Sequence, residues 1–390
     1  MNSDISLRPR KEFPITERLT YLNSGGLGII PISVQHRSHQ FAQRLATEGT
    51  RAYFEYAEQV KYGPRRAGAR LFNAEPNTIA IVNSVSEVTS QFAWWVRPRA
   101  HQNVVAIDID HPSATFPWLQ VSRETGHEVR FVRAAEDPAS LSIEGIAALV
   151  DDNTAVISVS QVMWTSGHRF DLRQLADLAH AHGALLVIDA THGAGVVPID
   201  APASGADLIA AGAFKWLCGY SGVAVCYIRP GLMEQVQPLL VGHNNGTPSL
   251  QLQPSGCDAT RIDLPPDATR MEYGSSSHVA RYTLGLSIEY LLEMGIDRVE
   301  AHVQSLGTRL FAGLAARGAQ VITPLDCSQR AGIITARFPG HDGPEVVQAL
   351  DALNVIVIPR LGGVRFTPHF FNNGADIDTA LASVARIIGR

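Results

Sequence analysis

From about residue 79 to residue 230, short apolar runs alternate with helical patterns, and this rhythm limits the fold more than any other feature of the chain. The runs are Ile79–Val82, Val104–Ile107, Glu128–Val132, Ala155–Val159, Ala184–Ile188, Leu208–Ala210 and Val223–Ile228. Most are apolar throughout, as strands are when helices cover both faces of their sheet. One intervening segment reads closely as a helix. Asp171 with Gln174 three residues on forms a capping-box pattern, Leu172, Leu175, Ala176 and Ala179 make one apolar face, and Gly183 supplies the stop. Strand, helix, strand in this order predicts a mostly parallel, seven-stranded α/β sheet with right-handed crossovers.

Two residues then fall at the carboxyl edge of that sheet, where such sheets bind ligands. Asp189 ends one apolar run and Lys215 follows the next. An amine and a carboxylate one crossover apart are what pyridoxal 5'-phosphate (PLP) requires. The amine forms a Schiff base with the aldehyde, and the carboxylate keeps the pyridine nitrogen protonated so that the ring acts as an electron sink. Taken alone, such a pair is more often a solvated lysine and a helix-capping aspartate, so the neighbouring residues must decide.

Bulk properties exclude several classes. Apolar residues make up 45% of the chain and charged residues 18%, the balance of a globular enzyme. Acidic residues outnumber basic ones 37 to 32 and no long basic run occurs, so no nucleic-acid partner is expected. The start, Met1 to Leu7, has no positive region followed by an apolar core, and no apolar segment reaches membrane-spanning length. The expectation is a cytoplasmic protein without membrane association. Cys218, Cys226, Cys257 and Cys327 are scattered, with no CxxC pair, and read as reduced thiols rather than a disulfide frame or zinc site. His36 and His39 could share a metal by spacing, but no third ligand accompanies them, so no metal is expected.

Residues 240–276 break the rhythm with Gly242, Asn244, Asn245, Gly246, Pro248, Pro254, Gly256, Pro265 and Pro266. Irregular stretches of that length are commonly functional. Helical patterns follow at about 279–294, 298–317 and 376–388, and strand candidates at 319–323, 331–338 and 354–358. A further helical pattern at about 32–48 could pack on either part. These mixed elements predict a smaller α+β domain, giving a large domain over 21–275 and a small one over 276–390 together with 1–20.

Seven segments, in order, carry a resemblance: Asn83-Ser-Val-Ser86-Glu87-Val88; Asp110-His111-Pro112-Ser113 through Pro117-Trp118; Ser158-Val-Ser160-Gln161 with Thr165-Ser166-Gly167; Asp189-Ala-Thr-His192; Phe214-Lys215-Trp216; Arg270-Met-Glu272-Tyr-Gly274-Ser275; and Val364-Arg365-Phe-Thr-Pro368-His369. Together they resemble the class V aminotransferase family, PLP enzymes of fold type I that include cysteine desulfurases and the isopenicillin N epimerase-like group. The resemblance runs from Tyr21-Leu-Asn23 to the last helix. It implies that Val85 and Ser86 hold the cofactor phosphate at a helix start. His111 would stack on the pyridine ring, where the family reads Glu-His-His-Ala-Asn. Gln161 and His192 would reach the phenolic O3' side. Asp189 would pair with the ring nitrogen and Lys215 would form the Schiff base. Ser275 would reach the phosphate of the neighbouring subunit, making a homodimer with shared sites. Arg365 would grip the substrate α-carboxylate as a two-pronged donor, with Asn23 near the substrate.

The departures narrow the function. The family often has Ser and His at the positions of Gly212 and Phe214, where both serve the cofactor. Desulfurases carry a persulfide-forming cysteine in the loop before the carboxylate-binding arginine, whereas that loop here is Pro359-Arg360-Leu361-Gly362-Gly363. The resemblance therefore implies an enzyme acting at Cα of an amino acid through an external aldimine. The leading expectation is β-elimination of the C–S lyase type on a cysteine-derived substrate. Transamination and epimerisation share the same residues. A non-catalytic fold type I binding protein is the alternative from another class. A dinucleotide-binding dehydrogenase is weaker, because Gly25-Gly26-Leu27-Gly28 lacks the GxGxxG spacing.

Overall fold

The structure, a computed structural model, describes residues 10–246 and 262–389. The strands of its main sheet are β1 (Ile79–Val82), β2 (Asn103–Ile107), β3 (Glu128–Val132), β4 (Thr154–Ser160), β5 (Leu185–Asp189), β6 (Leu208–Gly212) and β7 (Ala224–Ile228). Their order is β1-β7-β6-β5-β4-β2-β3, and β7 alone runs antiparallel to its neighbours. Each expected apolar run is a strand of this sheet, to within two residues at either end.

Alternation explains why the runs are apolar throughout. In β1, Ile79 and Ile81 enter one hydrophobic cluster while Ala80 and Val82 enter another on the opposite face. Of helices α1 (Ile32–Glu48), α2 (Thr50–Lys61), α3 (Gly63–Leu71), α4 (Val85–Val96), α5 (Pro112–Thr125), α6 (Leu172–Ala181) and α7 (His278–Met294), α3, α4, α5 and α6 pack directly on strands of the sheet. The α6 cap differs in one detail from the expected box. Asp171 accepts from the backbone N–H groups of Arg173 and Gln174, but the Gln174 amide returns to the Asp171 carboxylate rather than to its backbone. Helix α1 packs on α2 and α7, where Phe41 meets Tyr56 and Tyr282.

A second, antiparallel sheet contains β8 (Gln320–Val321), β9 (Ile334–Arg337), β10 (Ile358–Arg360) and β11 (Gly363–Phe366), in the order β10-β11-β9-β8. The strand expected at 354–358 is divided. Val355–Ile356 pairs in parallel with Thr20–Tyr21, and Ile358 begins the hairpin β10–β11. Pro359 sits in β10, a strand at the edge of this sheet, where a missing N–H is tolerated. The hairpin turns through Leu361 and Gly362, both with positive φ (50° and 73°), the conformation of a tight two-residue turn. In the 240–276 stretch, the described parts are irregular apart from one turn of 3-10 helix at Ala268–Met271; Cys257 lies outside the described residues. Among the described residues no helix is long and apolar enough to cross a membrane.

Candidate active site

The carboxyl ends of β1, β2, β4, β5 and β6 supply the site. Ser160 pairs with Asp189 across β4 and β5, and Asp189 with Ala210 across β5 and β6, so these residues lie level. Val82 and Gly212 both stand opposite Ala224 of β7. The start of α4 and the segment carrying Lys215 therefore leave the same edge two strand spacings apart, roughly 10 Å.

Lys215 is 8% exposed, and its Nζ lies 3.0 Å from His192 Nε2. Burial lowers the amine to about 8; Asp189 acts in the opposite sense, while Arg365 and Arg360 push it further down. His192 is buried, and its Nδ1 accepts from the Trp216 indole N–H at 3.2 Å. Burial first, then its positive neighbours Lys215 and Arg365, hold this imidazole well below its usual range. Asp189 is buried with both oxygens engaged. The Ser113 hydroxyl donates to Oδ2 at 2.6 Å, and the Thr191 N–H donates to Oδ1 at 2.9 Å.

Ser113 also lies 2.7 Å from His111 Nδ1, so one hydroxyl ties His111 to Asp189. The backbone of His111 is pinned separately: its N–H donates to Asp110, which also accepts from the backbone and hydroxyl of Ser160. Burial pushes Asp110 up to about 6 against those bonds. The His111 ring meets Trp164 edge-on at 5.4 Å, and burial lowers its pKa.

The β10–β11 hairpin brings two guanidiniums toward this cluster. Arg365 is 1% exposed, donates to the Trp164 carbonyl at 2.8 Å, and has a buried Nε without a partner. Arg360 lies over the Trp164 ring at 4.1 Å, and its Nε is likewise unpartnered. Burial, then Arg360, lowers Arg365 to about 9. Neither arginine has a carboxylate partner among the described residues.

The Gly25-Gly26-Leu27-Gly28 run serves close approach. A Cβ on Gly28 would run into the Lys215 carbonyl, and one on Gly25 would press on Thr367 and meet Arg365. The Gly28 N–H donates to Phe214 O at 2.8 Å. The run thus lays the N-terminal segment across both Lys215 and Arg365, and leaves the buried Asn23 Oδ1 without a partner. Gln161 is buried beside Gly193, where any side chain would collide with its amide, and its Oε1 is also unpartnered. At the two departures, the Phe214 ring occupies the space over Gly212: a Cβ there would come 3.3 Å from Cε1. Lys215 Nζ lies 5.4 Å from the centre of that ring.

Of the expected residues, the structure thus gathers Lys215, His192, Asp189, His111, Arg365 and the Asn23 segment. Val85 and Ser86 open α4, whose cap is Ser84, accepting from the Glu87 N–H; Ser86 itself is exposed. Ser275 is exposed and lines a separate cavity of about 710 Å³, with His243, Arg65 and Arg281, that shares no lining residue with the Lys215 cluster. Glu272, which binds Arg65, Arg281 and the Ile81 N–H, anchors that turn to β1. Sequence reasoning missed Trp216, Ser113 as a link and Arg360. Trp216 and Ser113 stood inside quoted motifs, but only the folded chain shows what they touch.

An amine whose charge burial disfavours, an aligned carboxylate and a helix start at one sheet edge, with unpartnered Arg365 Nε and Asn23 Oδ1 beside them, fit a phosphorylated pyridine aldehyde. Comparisons agree. The family model described as aminotransferase class-V matches residues 20–366. An uncharacterized aminotransferase, YcbU, of Bacillus subtilis is 26% identical over 96% of both chains. Isopenicillin N epimerase of Streptomyces clavuligerus is 26% identical over 94% of both. Among solved structures, the cystine C–S lyase C-DES in complex with its reaction product cysteine persulfide superposes with a TM-score of 0.86 at 21% identity, covering 96% of this chain and 99% of that one. A cysteine desulfurase from Thermococcus onnurineus gives 0.84 at 20% identity, covering 98% and 97%.

Proposed function

This chain belongs to the class-V aminotransferase family, a PLP-dependent enzyme family of fold type I, and from that premise we propose that it catalyses β-elimination of the C–S lyase type on a cysteine-derived amino acid. One observation carries the choice of elimination over sulfur transfer. The hairpin that brings Arg360 and Arg365 to the site turns in two residues, Leu361 and Gly362, so it presents guanidiniums and no thiol. Burial raises the thiols of Cys218 and Cys226, and Cys327 lies against Thr308 and Arg330. None of these three is placed as a sulfur acceptor.

In this reading Arg365 binds the substrate carboxylate, a bidentate contact made by a buried guanidinium. Lys215 takes the Cα proton, and its lowered pKa lets it do so near neutral pH. When bound, PLP supplies an aldehyde for that amine and a ring that draws off the charge developing at Cα. Asp189 would hold the ring nitrogen's proton, His111 would lie against the ring, and Gln161 and His192 would serve its O3' side. The N–H groups of Val85 and Ser86 would hold the phosphate. Ser275 acts on the phosphate of a second copy, so the working unit is a homodimer.

The test is incubation with cysteine S-conjugates and a panel of L-amino acids. Pyruvate release, amino transfer to a keto acid and Cα deuterium exchange are followed in parallel. Pyruvate from the S-conjugates is the expected result. Amino transfer without pyruvate would make the chain an aminotransferase, and exchange with inversion alone would make it an epimerase.

A further inference from the structure

We infer that Trp216 is a positioning residue: its indole N–H fixes the tautomer of His192, so that His192 donates to the Lys215 amine and favours the uncharged, reactive form of that amine. An indole nitrogen only donates, so His192 Nδ1, 3.2 Å away, is the acceptor. A neutral imidazole with Nδ1 as acceptor carries its hydrogen on Nε2. Nε2 therefore donates across the 3.0 Å contact to Lys215 Nζ. An ammonium has only hydrogens to offer and cannot accept, whereas a free amine has one lone pair and can. The hydrogen-bond chain Trp216–His192–Lys215 thus closes only when the amine is uncharged.

The indole is held firmly enough to impose this. Trp216 is fully buried, its carbonyl accepts from His369 Nε2 at 3.0 Å, and Gly332 is packed so closely that a Cβ there would meet the indole ring at 2.6 Å. The charged and titratable groups facing Lys215 and His192 divide. Asp189 and the Phe214 ring favour the ammonium, while Arg360 and Arg365 oppose it and His111 adds to the load on His192. The Trp216 N–H adds a directional term to that balance which charge alone does not supply.

The inference gives the proposed reaction an amine ready to react, and it rests on that reading only for its purpose; its test needs no cofactor. The chain has three lysines, Lys11, Lys61 and Lys215, so labelling of one amine is easily read. Cofactor-free protein is treated with dinitrofluorobenzene across a pH series, and the rate at Lys215 is followed by peptide mass spectrometry. In Trp216→Phe, His192 is free to adopt the other tautomer, accept from an ammonium and raise its pKa. The midpoint should then move up by about one unit or more, lowering the labelling rate at pH 7 roughly tenfold, since each unit is a tenfold change in free amine. An unchanged midpoint in folded Trp216→Phe overturns the inference. If that variant does not fold, nitrogen NMR of [15N]histidine-labelled wild-type protein decides, with His192 assigned by its loss in His192→Gln. The Nε2–H tautomer is expected, and the Nδ1–H tautomer overturns the inference. Failure to load PLP at Lys215 would count against the proposed function and leave both results readable.

Discussion

At the amine end of the site, Trp216, His192 and Lys215 form one hydrogen-bonded chain, and His111, Ser113 and Asp189 form another, with contacts of 2.6 to 3.2 Å. At the guanidinium end, Arg365 and Arg360 are buried or half-buried with no carboxylate partner among the described residues and with both Nε atoms unpaired. The first region rises from the rigid edge of the main sheet and satisfies itself. The second sits on a hairpin of the smaller sheet and carries positive charge out of water, a cost that a bound anion would offset. On the proposed function, the amine end is organised before substrate binds, and the guanidinium end is where binding energy would be released.

Substitutions at the two ends should separate accordingly. The largest effect is expected for Lys215→Ala, which should abolish the visible absorbance of the loaded protein and lower turnover by at least about 10²- to 10⁴-fold, the usual contribution of a positioned base. Retention of both would remove the amine from the mechanism. Asp189→Ala should cost far more rate than substrate affinity, on the order of a hundredfold in kcat, because the carboxylate stabilises charge that develops in the transition state. Steady-state kinetics with kcat and KM separated would show this, and a change confined to cofactor retention would speak against it.

At the other end the pattern should reverse. Arg365→Ala removes one partner of a buried contact worth roughly 2–5 kcal/mol, a rise of about 30- to several-thousand-fold in the amino acid needed, with the cofactor band intact. Arg360→Ala, in a more exposed position, should give a smaller rise. Equal effects at both arginines, seen in substrate titrations by absorbance, would break the distinction between a buried grip and an outer charge.

The smallest effect concerns stability. Burial depresses the folded-state pKa of Lys215 to about 8, below its unfolded value, so the charged amine costs the cofactor-free protein stability at pH below about 8. That cost falls as pH rises from about 8 toward 10.4. Lys215→Ala should accordingly raise the thermal midpoint of cofactor-free protein at pH 7, and the gain should shrink through that window. A gain independent of pH would mean the lysine is not desolvated.

The sequence revealed the main sheet and the amine end far better than the guanidinium end. Period and run length follow from burial on both faces, so all seven strands of the large sheet were legible. Asp189 and His192 lie near strand ends, where motif spacing maps onto space directly. Arg360 was hidden because its role depends on the hairpin turn at Leu361-Gly362 and on the Trp164 ring beneath it, contacts made across the chain. Trp216 and Ser113 were hidden for the same reason: a hydrogen bond between side chains 24 or 76 residues apart leaves no local pattern. The glycines at 25 and 28 were read only as a failed nucleotide motif, and their use in close packing becomes visible only against Lys215 and Arg365.

The central claim, that Lys215 is the amine on which the whole arrangement converges, has a direct test. The PLP-loaded protein is reduced with sodium borohydride, digested, and the lysine-bearing peptides are weighed. The account predicts a pyridoxyl phosphate adduct, close to one per chain, on the peptide containing Lys215. An adduct on Lys11 or Lys61, or an unmodified Lys215 in protein that retains its visible absorbance before reduction, would contradict it.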